Sequence, residues 1–175
     1  MSASLVFTFI SADKPGLIEQ LAQTVSNCGG NWLESRMSEL AGQFAGIVQV
    51  EIPEARRVEL RGALLSLRET GLTVVVADNA DPSDSASYRQ LRLSILGPDR
   101  PGIVREVASA LAARQINVQA MDTVITSAPM SAEPLFEAMA EILVPKTLDI
   151  DELNQRLDEI ADALTVDIDL EESLR

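Results

Sequence analysis

Asp13-Lys14-Pro15-Gly16-Leu17-Ile18 returns 86 residues later as Asp99-Arg100-Pro101-Gly102-Ile103-Val104, and this repeat decides how the rest of the chain is read. Working outward at the same offset, Leu5, Phe7 and Phe9 fall on Leu91, Leu93 and Ile95, Ala22 falls on Ala108, and Asn31 falls on Asn117. Phe44 then pairs with Phe136 and Pro53 with Pro145 at an offset of 92, so the second copy has gained 92 minus 86, or 6, residues. The extra residues lie around Ser127 to Pro134. Between the copies, Asp78 to Ser87 is polar, contains Pro and has no periodic apolar pattern, which reads as a linker. The expected division is a first domain over 1–79, a linker over 80–88 and a second domain over 89–175.

Each copy alternates between two periods. Leu91, Leu93 and Ile95 alternate with Gln90, Arg92 and Ser94, the pattern of a strand with one buried face. Ile103, Val107 and Leu111 then recur every four residues, the stripe of an amphipathic helix. Strands are expected over 117–125 and 136–144, followed by a helix on Leu153, Leu157, Ile160 and Leu164 and a last strand on Val166, Ile168 and Leu170. In the first copy the second helix carries Leu60, Leu64 and Leu67, and the last strand covers 73–76. The fold class is therefore α+β: two tandem βαββαβ ferredoxin-like units, each a four-stranded antiparallel sheet with two helices on one face. Val6 and Ile10 alternate with the core set, so the outer face of the first sheet is partly apolar and calls for a partner. Association of the two sheets within the chain is expected, and a homodimer is a further arrangement left open.

Composition narrows the function. Of 175 residues, 46% are hydrophobic and only 3% aromatic, so the core is aliphatic. Twenty-seven acidic against 14 basic residues give a net charge of -13, which repels phosphate backbones and anionic membrane surfaces; direct nucleic-acid and membrane binding are disfavoured. The absence of His removes the usual general base and the commonest metal ligand. The 10 acidic residues from Asp149 to Glu172 lack calcium-loop spacing and read as a solvated face, so neither a metal nor a cofactor is expected. A lone cysteine, Cys28, and an N-terminus without a signal peptide pattern point to the cytoplasm. Cys28 reads as a half-buried helix-end residue, with Gly29-Gly30 as the helix stop. Trp32 reads as packing, and the insert around Met130 as a surface loop.

The two Asp-x-Pro-Gly loops each join a strand to a helix. Pro suits the first helical turn, Asp just before it can cap free N–H groups, and Gly lets a ligand approach the backbone. Such a helix end can seat a carboxylate, or it can be only a well-made helix start. Asn31 and Asn117, each 18 residues beyond the loop Asp, can read both ends of an amino acid or can simply serve a turn.

Two βαββαβ copies, each opening with an apolar strand, Asp-[Lys/Arg]-Pro-Gly-[Leu/Ile]-[Ile/Val], a helix and an Asn at the next strand, resemble tandem ACT domains over about residues 5–78 and 89–170. The whole chain resembles the glycine cleavage system transcriptional repressor family. The resemblance implies a non-catalytic regulator that binds a small amino acid, glycine, and controls transcription through contact with a DNA-binding activator. By position it implies ligand contacts at Asp13, Pro15, Gly16, Leu17 and Asn31, and at Asp99, Pro101, Gly102, Ile103 and Asn117. A ligand bridging two ACT units would bias a partner-binding surface by its differential affinity. Two other classes stay open. One is an interaction adaptor with no small ligand; the other is an acylphosphatase-type hydrolase using Arg100 and Asn117.

Overall fold

Why these residues form these elements is clearest from which faces they bury. The computed structural model describes residues 2–77, 87–128 and 132–172. Among them the first unit runs β1 (Ser2–Ala12), α1 (Leu17–Asn27), β2 (Asn31–Leu40), β3 (Gln43–Pro53), a 3-10 turn (Glu54–Arg56), α2 (Arg57–Ser66), a second 3-10 turn (Leu67–Thr70) and β4 (Thr73–Ala77). The second runs β5 (Tyr88–Pro98), α3 (Ile103–Ala112), β6 (Asn117–Ser127), β7 (Pro134–Pro145), α4 (Ile150–Leu164) and β8 (Asp167–Glu172). The chain divides into two compact units between residues 81 and 82. Most of the expected linker, residues 80–86, lies outside the described residues, as do 129–131 of the insert.

The two sheets are ordered β2-β3-β1-β4 and β6-β7-β5-β8, and every neighbouring pair is antiparallel. This is the expected α+β architecture in duplicate. In the first unit, Leu5, Phe7 and Phe9 of β1 form one buried cluster with Leu17, Leu21 and Val25 of α1 and Leu60 and Leu64 of α2. Both helices therefore cover the same sheet face. In the second, Leu91, Leu93 and Ile95 meet Ile103, Val107 and Leu111 of α3 and Leu153, Leu157 and Ile160 of α4 in the same way. Each fully buried Leu or Ile contributes roughly 1.5–3 kcal/mol of transfer free energy, so this shared face dominates the stability of each unit.

Boundaries differ from the apolar pattern where backbone pairing outlasts it. β6 and β7 extend to Ser127 and from Pro134, because pairs such as Thr126 with Leu135 continue the ladder to the end of the hairpin. Leu67 falls in the 3-10 turn after α2, still buried. Val166 precedes β8 and is buried behind the left-handed Thr165 that ends α4.

The helix stop after α1 is a Schellman motif: Gly29, at φ 72°, donates to the Ser26 carbonyl and Gly30 to the Val25 carbonyl. Gly30 must be bare, since a Cβ there would stand 2.8 Å from Val25 Cγ1. The second unit builds the same motif without glycine. Gln115, at φ 57°, donates to Ala112 and Ile116 to Leu111. The bond pattern is thus kept while the residue favoured for it is lost.

Gln115→Gly should raise unfolding free energy by about 0.5–1 kcal/mol in urea denaturation, the relief of a left-handed non-glycine net of glycine's greater unfolded entropy. Gly46→Ala in β3 should lower it by about 1–3 kcal/mol, by overpacking. Its Cβ would lie 2.7 Å from Met37 Cβ, 2.8 Å from Phe9 Cε1 and 2.9 Å from the Arg36 carbonyl oxygen.

Candidate functional site

Each Pro-Gly loop leaves the end of a central strand and is held on both sides. The Asp13 N–H donates to the Gly42 carbonyl at 2.9 Å, and the Asp99 N–H donates to the Pro134 carbonyl at 2.9 Å, tying each loop to its neighbouring hairpin. On the other side Lys14 Nζ donates to the Thr70 carbonyl at 3.1 Å, and Arg100 Nη2 reaches the Ala163 carbonyl at 3.5 Å. The basic residue of the second loop thus serves the C-terminal end of α4, where carbonyls and the dipole favour a cation, and that of the first serves the end of the 3-10 turn that follows α2. Gln20 Nε2 adds a bond to Thr70 Oγ1 at 2.9 Å in the first unit.

The helix starts are made differently from the sequence expectation. Pro15 and Pro101 stand outside the helices, which begin at Leu17 and Ile103. Gly16 (φ 92°, ψ -3°) and Gly102 (φ 105°, ψ -10°) are the N-caps, with angles near those of the third residue of a type II turn, a turn that favours Pro just before it. No side chain caps either helix, so Asp13 and Asp99 are not caps. The cause is the intervening turn, which places the carboxylate three residues ahead of the cap. The first intrahelical bonds, Gln20 N–H to the Gly16 carbonyl and Glu106 N–H to the Gly102 carbonyl, are both 2.9 Å. The N–H groups of the first turn therefore point out past a residue with no side chain.

Around the first loop is a shallow concavity of about 360 Å³, lined by Asp13, Lys14, Pro15, Gly16, Leu17, Ile18, Glu19 and Phe44. Nothing lies within 4 Å of where a Cβ on Gly16 would stand. Phe44 forms one wall and leans on Phe9, with ring centroids 5.6 Å apart. Ile18, Glu19 and Phe44 were not singled out as site residues by sequence. The alignment of Phe44 with Phe136 marked its position in the repeat but not its nearness to the loop, which comes from its pairing with Ser11 at the end of β1.

The two loops carry opposite charge at one equivalent position. Glu19 lines the first concavity, whereas 86 residues on Arg105 holds its Nη2 3.7 Å from the Cβ position of Gly102. Arg105 also pairs with Glu106 at 2.7 Å, an exposed contact.

Asn31 and Asn117 are exposed and lie at the opposite end of their own units from these loops. Asn31 opens β2 opposite Glu51, beyond the C-terminal end of α1, and the 11 residues of α1 span about 16 Å. Asn117 stands likewise beyond α3, opposite Leu143. No single amino acid could touch a loop and the Asn of the same unit. The same separation parts Arg100 from Asn117, the pair a hydrolase would need together. Trp32 packs edge-on against Phe7 at 6.4 Å and belongs to the core. Cys28 is buried, and desolvation, reinforced by the Glu59 carboxylate, pushes its thiol up despite the opposing Arg56 guanidinium. It stays a protonated thiol at neutral pH. Among the described residues there is no group of three or more acidic or cysteine side chains that could hold a metal, and no helix long and apolar enough to cross a membrane.

The sequence matches two family models described as ACT domain, over residues 3–77 and 91–162. No curated protein matches it. Among solved structures, an unknown protein from Galdieria sulphuraria superposes with a TM-score of 0.88 at 28% identity, covering 99% of this chain and 100% of its own. A proposed glycine cleavage system transcriptional repressor superposes with a TM-score of 0.71 at 18% identity, covering 97% of this chain and 96% of its own; at that identity the likeness is one of fold.

Gly16→Ala should lower stability by about 1–2 kcal/mol despite the open space, because φ at this position disfavours any L side chain. Gly62→Ala, equally unobstructed but inside α2 without a positive φ, should raise it by about 0.5–1 kcal/mol. Urea denaturation of both variants checks the pair of signs.

Proposed function

Because the chain belongs to the ACT domain family, as two tandem copies, we propose that it is a non-catalytic regulator that binds a small amino acid, glycine, at its Pro-Gly loops. The observation that supports this best is the loop itself: a left-handed glycine at each helix start, no capping side chain, and first-turn N–H groups open to a carboxylate. Pro15, Gly16 and Leu17 supply the turn and the N–H groups of the first loop; Pro101, Gly102 and Ile103 supply those of the second. Asp13 and Asp99 hold the turn through their backbone N–H groups, and Asp13 also lines the first concavity, where its carboxylate would be the partner for a ligand's ammonium group. Asn31 and Asn117 serve a ligand only if it is held on the loop of a different ACT unit.

The two loops are unequal receptors for a carboxylate. Glu19 repels one at the first loop and Arg105 attracts one at the second, each by the modest amount an exposed charge supplies, about 0.5–1 kcal/mol. Glu106, paired with Arg105 at 2.7 Å where the first unit has Gln20, offsets part of that attraction, so the second loop is the tighter seat by the one-charge difference that remains. An amino acid bound there would act on a DNA-binding activator by protein contact, since a chain of net charge -13 is a poor ligand for DNA itself. The fold likeness to a proposed glycine cleavage repressor supports that output.

Thermal denaturation against a panel of common amino acids tests this directly. A ligand at about 100 times its Kd adds ~2.7 kcal/mol, which for a chain of this length raises Tm by roughly 5–10 °C. Glycine or a close neighbour should give the shift. Arg105→Glu should weaken binding by roughly 3–10-fold in titration calorimetry, while Glu19→Gln leaves it unchanged or tightens it. No shift with any amino acid would leave an adaptor working by protein contact alone.

A further inference from the structure

Thr70, the last residue of the second 3-10 turn, grips the first Pro-Gly turn from both ends. Its carbonyl accepts from Lys14 Nζ at 3.1 Å, just before the turn, and its hydroxyl accepts from Gln20 Nε2 at 2.9 Å, just after it. The same hydroxyl donates to the Leu67 carbonyl at 2.8 Å. Thr70 is in turn held by the core: Leu67 before it is buried, and past the left-handed Gly71 the chain turns inward at the fully buried Leu72. A post anchored in the core therefore spans the turn whose N–H groups face the concavity.

The second unit replaces this grip. Its α4 ends on the same bond pattern, with Thr165 donating to Asp162 and Val166 to Ala161, as Gly71 donates to Arg68 and Leu72 to Leu67. That register puts Leu164 in the place of Thr70, where it packs on the core and carries no hydroxyl. In the place of Gln20 stands Glu106, whose carboxylate lies 2.7 Å from Arg105 instead. Both halves of the side-chain bond have changed, and what spans the gap is the Arg100 Nη2 contact to the Ala163 carbonyl at 3.5 Å.

We propose that Thr70 is a positioning residue of the first loop, holding the Gly16 turn and the first turn of α1 in one relation so that their open N–H groups are aimed before a carboxylate arrives. The inference rests on the reading of that loop as an amino-acid seat. A seat ordered in advance loses less binding free energy to ordering the loop, which offsets part of the charge disadvantage set by Glu19. These bonds lie at the surface, so each contributes modestly and the effect on affinity is a few-fold.

Glycine titrated into the full chain and followed through the backbone amide signals of Gly16 and Gly102 by NMR reads the two loops separately. Thr70→Val keeps the side-chain shape and removes the hydroxyl; it should weaken glycine at the first loop roughly 3–10-fold and leave the second unchanged, while Thr70→Ser should keep wild-type affinity. Amide exchange of the ligand-free chain gives a second reading. The Gln20 N–H, bonded to the Gly16 carbonyl, should exchange several-fold faster in Thr70→Val than in the wild type or Thr70→Ser, and the equivalent Glu106 N–H should not change. If Thr70→Val fails to fold by circular dichroism, Gln20→Leu takes its place and should bring the same loss of affinity at the first loop. Unchanged affinity at that loop overturns the proposal, as does equal weakening at both loops or a Thr70→Ser as poor as Thr70→Val. A wild type in which glycine moves neither signal would instead overturn the amino-acid reading, and the exchange contrast between Gln20 and Glu106 then decides whether Thr70 positions the turn.

Discussion

The left-handed backbone at Gly16 and Gly102 is the constraint on which each unit depends. A central strand must hand the chain to a helix that folds back over the same sheet, and the turn that does this needs a positive φ at the last residue before the helix. Only glycine takes that conformation without cost, and the preceding proline fixes the approach. The helix direction follows, and with it the single buried face shared by both helices. Phe7, Leu21 and Leu60 can meet in one cluster because the turn aims α1 back along β1.

That same constraint creates the chemistry. A helix capped by Ser or Asp turns one of its first N–H groups inward onto the cap and has fewer left for a ligand, as Asp149 does with the Asp151 N–H of α4. Glycine at the cap leaves them open, so the residue required by the backbone also frees the N–H groups on which the proposed ligand site rests. The ties from Asp13 and Lys14 hold the loop from two sides through backbone carbonyls of the hairpin and of the second 3-10 turn. The loop is rigidly mounted although it lies at the surface. Duplication then allows divergence: Glu19 and Arg105 occupy the same position with opposite charge, and Leu164 stands in the place of Thr70, while the two cores stay alike.

A large part of the fold was legible in advance. The repeat, the alternation of Leu91, Leu93 and Ile95 and the four-residue spacing of Ile103, Val107 and Leu111 all correspond to buried faces. These signals are strong because burial acts on every turn of a helix and every second residue of a strand. Strand ends were less visible, since backbone pairing at Thr126 or Ser127 requires no apolar side chain. The Asp caps were misjudged because a Pro-Gly turn and a first helical turn share the same residues, and only φ at glycine separates them.

The amino-acid sequence by itself determined the duplication, the order of elements, the core and the position of the loops, since each rests on local periodicity or on residues adjacent in the chain. Tertiary structure decided what those loops stand beside. Phe44 reaches the first loop through strand pairing with Ser11, and Asn31 is carried to the far end of the unit by the length of α1. The grip of Thr70 on Lys14 and Gln20 emerges only when α2 is laid back beside α1. These are relations between residues distant in sequence, fixed by hydrogen-bond register and helix direction, and no local pattern encodes them.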